Sequence, residues 1–144
     1  MNAVTTGGKK TKGRKRHIVT DVMGNLLAVA VHAANIHDTV FGIILAIQSF
    51  DNFPTIKKFC GDEGYRKTFE EEVFAVLGIG VDISERIKPI FEVIPKRWVV
   101  ERTFAWANNS RRLSKDYEIT TSSEEAFFTI SHSRVLLRRL AKSL

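Results

Sequence analysis

A single cysteine, Cys60, stands among 144 residues, so no internal disulfide can form and no cysteine-based zinc cluster can be assembled. The four histidines are scattered and, without a second cysteine, give no zinc-ligand spacing, which sets aside redox chemistry and structural zinc. Long apolar runs are also missing. The longest, Leu26 to Ala34, is interrupted by His32 and falls far short of the roughly 18 residues that a membrane helix needs. The N-terminal stretch is basic but has no apolar segment behind it, so it does not read as a signal peptide. A cytoplasmic protein with no membrane partner is expected. Acid is absent from the first 20 residues, which contain neither Asp nor Glu.

What is present is an ordinary core and an uneven charge. Hydrophobic residues make up 44% of the chain, enough for one domain with its own interior. Residues 1–16 hold six cations (Lys9, Lys10, Lys12, Arg14, Lys15, Arg16) and no acid; residues 17–85 hold four cations against ten acids, and residues 86–144 twelve against six. An acidic centre thus lies between two basic arms. Arms of this kind suit a polyanion whose phosphates they neutralise, and clustered carboxylates suit a cation. A solvated tail on an ordinary surface accounts for the same charges.

Residues 1–13, with Gly7, Gly8 and Gly13 among lysines and threonines, offer nothing to pack and read as a flexible basic tail, leaving 14–144 as the folded unit. Arg16–Met23 and Leu26–Ala33 are β-branched and apolar, and Gly24-Asn25 between them is a hairpin dipeptide. Asp38 is placed to cap a helix from Thr39 to about Ser49. Thr55–Cys60 reads as a buried strand, Thr68–Leu77 as a helix stopped by Gly78, and Gly78–Ile83 as another strand. Pro89–Pro95 is expected to be extended. A helix over Arg97–Leu113 follows, and a last one begins at Ser122, where Ser122-x-x-Glu125 has the form of a capping box. Ala126, Phe127, Ile130, Val135, Leu136 and Leu140 are its candidate apolar face. The alternation predicts an α/β chain.

Two carboxylates stand out. Asp62 lies in Cys60-Gly61-Asp62-Glu63-Gly64-Tyr65-Arg66, directly after an apolar strand, where α/β sheets bind ligands and where glycines permit close approach. The same residue types also make simple turns. Glu101 shares one helical face with Arg97, Ala105, Asn108 and Arg112, while Val99, Val100, Thr103, Trp106, Ala107 and Leu113 lie opposite. A metal or a phosphate could reach it there; so could Arg97, in an i,i+4 pair contributing only about 0.3–0.5 kcal/mol.

The element order and the wording around both acids resemble the DDE transposases of bacterial insertion sequences, specifically the IS-five group. The resemblance rests on Gly13-Arg14-Lys15-Arg16-His17-Ile18-Val19-Thr20-Asp21, on Leu26 to Asn35 with Asp38, and on Asp62-Glu63-Gly64-Tyr65-Arg66. It is completed by Arg97-Trp98-Val99-Val100-Glu101-Arg102-Thr103-Phe104-Ala105-Trp106 and Arg111-Arg112-Leu113-Ser114-Lys115-Asp116-Tyr117-Glu118. It implies an RNase H-like domain, a mixed sheet flanked by helices, with Asp62 as the second acid of the triad and Glu101 as the third. Arg97, Arg102, Arg111, Arg112 and Lys115, with the N-terminal cations, would contact DNA. Ile94 stands where related enzymes carry a Tyr, and Asn108 where they often carry Lys or Arg. The first aspartate of the family precedes the Gly-Arg-Lys-Arg-His block, and residues 1–13 contain none; Asp21 lies too near the hairpin to replace it. By the resemblance this is a partial catalytic domain lacking its first, central strand.

The implied chemistry is phosphoryl transfer: water attacks at the transposon end, and the freed 3′-hydroxyl then attacks target DNA. Two Mg²⁺ (or Mn²⁺) ions about 3.5–4 Å apart would be held by carboxylates. With two acids of three, the expectation is a C-terminal part, inactive alone, that works with an upstream fragment or full-length enzyme and is oligomeric when active. Alternatives are a non-catalytic DNA-binding or inhibitory fragment and another RNase H-like nuclease, such as a junction resolvase.

Overall fold

A computed structural model describes residues 2–6, 13–84 and 95–143, with backbone alone at 2–6 and 95–97. The hairpin forms as its dipeptide predicts: β2 (Arg14–Thr20) and β3 (Leu26–Ala33) are antiparallel. Asp21 closes the turn by accepting from the N–H groups of Met23 and Asn25, both at 2.8 Å, and Gly24 takes the left-handed φ of 80° that the turn demands. Helix α1 spans Asp38–Asn52. Its cap is His37, whose Nδ1 accepts from Thr39 N–H; Asp38 is already the first helical residue, which frees its carboxylate for Lys15.

Strand β4 (Lys58–Asp62) begins later than expected, and helix α2 (Thr68–Leu77) occupies its expected range. Gly78 ends α2 in a left-handed conformation, donating its N–H to Phe74 O, and β5 (Gly80–Ser84) follows. Helix α3 (Pro95–Asn108) stops five residues before the expected end, and Arg111–Leu113 forms a 3₁₀ turn. The break has a physical cause: Ser110 Oγ bonds Ser131 Oγ at 2.7 Å, turning the chain toward helix α4 (Thr121–Ser143). Pro95 is helical rather than extended, and residues 85–94 lie outside the described residues.

The expectation of a missing central strand, and of a tail without structure from 1 to 13, is corrected. Asn2–Thr6 form β1, and the sheet order is β3-β2-β1-β4-β5. β1 is antiparallel to β2 (Val4 opposite Thr20) and parallel to β4 (Val4 opposite Cys60, Thr5 opposite Gly61). The physical reason is edge pairing. β2 and β4 each present a row of backbone donors and acceptors to the same slot, and a five-residue strand satisfies both rows whatever its own apolar content.

Helices cover both faces of the sheet. On one, Val19, Ala28, Ala30 and Phe59 pack with Leu45 and Ala46 of α1 and Phe69 and Val73 of α2. On the other, Ile18 and Cys60 pack with Val100 and Ala107 of α3, Leu113, and Phe128 of α4. Adjacent residues of one strand thus serve opposite cores, as the two-residue period of a pleated strand requires. The apolar face expected for α4 is corrected as well. Ile130 and Leu140 are more than half exposed, and the buried stripe is Glu124, Phe128, Ser131 and His132. Glu125 makes no capping box: it reaches across to accept from Val31 N–H at 2.7 Å, and Thr120 Oγ1 accepts from Ser123 N–H instead.

Candidate active site

Asp62 is the last residue of β4, half-buried, at the carboxyl end of two adjacent parallel strands. The register that sets Thr5 beside Gly61 brings the end of β1 alongside it, and Ser84 of β5 is its partner on the other side. The pleat puts Asp62 on the face of Cys60, two residues earlier, which is the face covered by α3. Asp62 Oδ1 accepts from Gly64 N–H at 3.1 Å, folding the turn back over the strand end. Gly64 makes room for this, since a Cβ there would lie 3.2 Å from the same oxygen.

Glu101 follows Val100, which is fully buried in the cluster that contains Cys60. Helix α3 packs on β1, β2 and β4, so both acids belong to one side of the sheet. Its burial agrees with the sequence reading: Val99, Val100, Thr103 and Ala107 are buried, while Glu101, Ala105 and Asn108 are exposed. The β2–β3 turn anchors the helix. Thr103 Oγ1 donates to Gly24 O at 3.1 Å, and Arg102 donates to Met23 O at 2.8 Å. Any Cβ at Gly24 would sit 3.0 Å from both Arg102 and Thr103, so the close approach needs glycine.

Tyr65 ties the turn after Asp62 to the opposite core. It is buried, stacked edge-on against Phe69, and its hydroxyl lies 2.8 Å from His17 Nδ1. Burial, and then the neighbouring His32 and Lys15, hold the pKa of His17 down to about 4 against the opposing pull of Asp38.

The cations expected to meet DNA divide sharply. Arg14 bonds Asp116, Glu124 and the carbonyls of Glu118 and Ile119; Arg16 bonds Glu124 and Leu113 O; Lys15 is buried against Asp38 at 2.7 Å. These three hold the fold together instead of extending outward. Arg102 is likewise structural, its guanidinium lying between the rings of Trp98 and Trp106. Arg111, Arg112 and Lys115 are exposed, with Arg112 paired to Glu118 at 2.8 Å and lying over the Phe127 ring. Lys9, Lys10 and Lys12 lie outside the described residues, as does the side chain of Arg97.

Sequence reading missed a basic groove. A cavity of about 320 Å³ lies between α3 and α4, lined by Trp106, Asn109, Ser110, Ser131, Arg134, Val135, Arg138, Arg139 and Lys142. Its signal was there to find: Arg134, Arg138 and Lys142 recur every four residues, which puts them on one helical face.

Comparison with known proteins identifies the setting. The transposase DDE domain matches residues 2–136. A Burkholderia cepacia protein assigned as the transposase for insertion sequence element IS402 is 31% identical over 147 aligned positions, covering 92% of this chain and 68% of that protein. Among solved structures, the catalytic core domain of BIV integrase superposes with a TM-score of 0.59 at 13% identity, over 91% of this chain and 80% of that one. The HTLV-2 integrase catalytic core domain in complex with magnesium gives 0.56 at 14%, over 91% and 81%. At these identities the integrases speak to the fold alone, which is RNase H-like. The family match spans nearly the whole chain and takes in both acid-bearing blocks, and the chain belongs to the DDE-domain transposases, enzymes of DNA transposition by phosphoryl transfer.

Proposed function

We propose that Asp62 and Glu101 are the second and third carboxylates of an insertion-sequence transposase of the IS-five group, and that these residues hold Mg²⁺ or Mn²⁺ during end cleavage and strand transfer. The observation that carries this is the junction of β1, β4 and α3. A strand-end aspartate and a helix glutamate on one side of a mixed sheet suit a pair of divalent ions that stabilise the attacking and leaving oxygens. The same junction supplies the limit on activity. β1 runs beside Asp62, yet Asn2–Thr6 contain no acid, so this chain offers two carboxylates where the two-ion mechanism uses three. The third acid lies outside residues 1–144, and the active form is an oligomer assembled on transposon ends and target DNA.

Purified chain incubated with Mg²⁺ or Mn²⁺ and insertion-sequence ends is expected to leave the DNA uncut. Addition of an N-terminal fragment carrying the acid-bearing strand restores cutting, and Glu101→Gln abolishes the restored activity. Cutting by the chain alone, lost in Glu101→Gln, overturns the division of labour while keeping the residue roles. Restored cutting that survives Glu101→Gln overturns the roles themselves.

A second reading, a DNA-occupying inhibitor without chemistry, is favoured by the basic groove of α4, which needs no carboxylate to bind phosphate. In that case co-expression with intact transposase depresses transposition, and Asp62→Asn with Glu101→Gln leaves the depression unchanged.

A further inference from the structure

His17 on β2, His32 on β3 and Asp38 at the start of α1 meet in one place. The β2–β3 register pairs Lys15 with His32 and His17 with Ala30, so the two histidines are diagonal neighbours on the face that α1 covers, and Asp38 opens α1 directly above them. One donor atom from each of the three residues lies within 4.8 Å of the others. His17 Nε2 is 3.6 Å from Asp38 Oδ1. Both imidazoles are buried, at 0% and 3% exposure, and both Nε2 atoms lack a hydrogen-bond partner among the described residues.

The outer nitrogens bear on which inner ones carry lone pairs. His32 Nδ1 is 2.8 Å from the Ala33 carbonyl, which can only accept, so Nδ1 carries the proton and Nε2 does not. His17 Nδ1 is 2.8 Å from the Tyr65 hydroxyl, which can accept or donate; metal binding at Nε2 selects the tautomer in which it accepts. This is the arrangement of metal-bound histidines, in which the ring nitrogen away from the ion donates to a fixed acceptor and so sets both tautomer and ring orientation. Two buried imidazole nitrogens without a hydrogen-bond partner among the described residues, facing a carboxylate, suit an ion placed among them.

We propose that His17 Nε2, His32 Nε2 and an oxygen of Asp38 form a binding site for a zinc-class transition-metal ion, separate from the carboxylate pair at Asp62 and Glu101. Two nitrogens and one oxygen suit Zn²⁺ or Co²⁺ and not Mg²⁺, which prefers oxygen ligands. A tetrahedral ion with bonds of about 2.0–2.1 Å needs donors roughly 3.4 Å apart. The His17–Asp38 separation of 3.6 Å is already close to this, and the His32 donor lies within 4.8 Å of both. Asp38 is 30% exposed on its side chain, which gives the ion an entry path and leaves the fourth position open to water. Lys15 Nζ, 2.7 Å from Asp38 Oδ1, is the competing cation, and the ion must displace it from that oxygen or share the carboxylate with it. Bound there, the ion joins β2, β3 and α1, and through Tyr65 it steadies the turn that carries Asp62.

The test is titration of the purified full chain, stripped by chelator, with Co²⁺ and then Zn²⁺, followed by visible absorption and thermal unfolding. One Co²⁺ per chain is expected, with the d–d absorption of a four- or five-coordinate ion and no thiolate charge-transfer band, displaced by Zn²⁺ and not by excess Mg²⁺. Zn²⁺ raises the unfolding midpoint. His32→Gln and Asp38→Asn weaken binding on the order of 100-fold or more, whereas Asp62→Asn and Glu101→Gln leave it unchanged. Lys15→Met lowers the metal-free midpoint but tightens Zn²⁺ binding, which keeps the test informative if a histidine variant fails to fold. Absence of stoichiometric Co²⁺ or Zn²⁺ binding by the unaltered chain overturns the proposal. So does loss of binding in Asp62→Asn, or Zn²⁺ binding that Lys15→Met does not tighten.

Discussion

Single atoms set the tolerance of several positions. A Cβ on Gly42 would lie 2.6 Å from Tyr65 Cε1 and 3.2 Å from Phe69, inside a packed layer. Gly42→Ala is therefore expected to push Tyr65 away from His17 and to destabilise the fold by about 1–3 kcal/mol in denaturant unfolding. Glu124 is 1% exposed and receives both Arg14 and Arg16. Glu124→Ala leaves Arg16 without its carboxylate and Arg14 with Asp116 alone; after discounting for their partial exposure, a loss of about 2 kcal/mol is expected by the same measurement. His132 gives the molecule a pH dependence. Its Nε2 accepts from Leu26 N–H at 3.0 Å, and burial first, then Arg139, lower its pKa below the ordinary 6.5, with Asp21 opposing. As pH falls below 6.5 the unfolded chain binds a proton that the folded chain refuses, so this contribution is present above 6.5 and is lost on acidification toward the folded pKa. His132→Gln keeps an acceptor for Leu26 and removes the titration, so its unfolding midpoint should fall less steeply with pH than that of the parent. None of these roles was legible in the sequence. The cations of Arg14–Arg16 read as a surface run, and only the partners on α1 and α4, far along the chain, turn them inward.

At the level of elements, legibility followed how local the cause was. Helix α2 and its Gly78 stop were readable because the left-handed cap is written in one residue. The β2–β3 hairpin was readable from Gly24-Asn25, and the buried face of α3 from its apolar spacing. β1 was not: Val4, Thr5 and Thr6 are β-branched, but five residues running into a glycine- and lysine-rich stretch are too short a signal, and the strand is held by partners on both sides. The stripe of α4 was misread because ion pairing and hydrogen bonding allow Glu124, Ser131 and His132 to be buried while Ile130 and Leu137 stay outside. Of the proposed site, the strand-end position of Asp62 and the exposed helix face of Glu101 were legible from their neighbours in sequence, whereas the groove and the histidine pair depend on elements brought together by folding. The docking of α3 offers a direct check. Thr103→Val removes the donor to Gly24 O and should destabilise by about 1 kcal/mol. Gly24→Val forces a β-branched residue into positive φ against Arg102 and Thr103, and should cost more than Thr103→Val in parallel melts.

For the whole molecule, charge is partitioned between holding the fold and facing outward. Part of the outward share lies on α4: Arg134, Arg138 and Lys142 line the groove, and charge reversal or removal there should leave stability nearly unchanged. If the groove takes phosphates, replacing all three by Ala lowers DNA affinity without sequence preference. It also flattens the plot of log affinity against log salt by about 2–3, at roughly 0.9 for each phosphate that is no longer neutralised. Filter or anisotropy binding at several salt concentrations measures both. The inward share carries a different consequence. Along β2, Arg14 and Arg16 reach Glu124 on one side of the sheet, and Lys15 and His17 face Asp38 on the other. A slip of one residue would turn each pair toward the wrong helix, with buried cations stranded from their acids. The alternating basic run thus works as a registration key: a misaligned strand would turn its cations away from the acids that hold them.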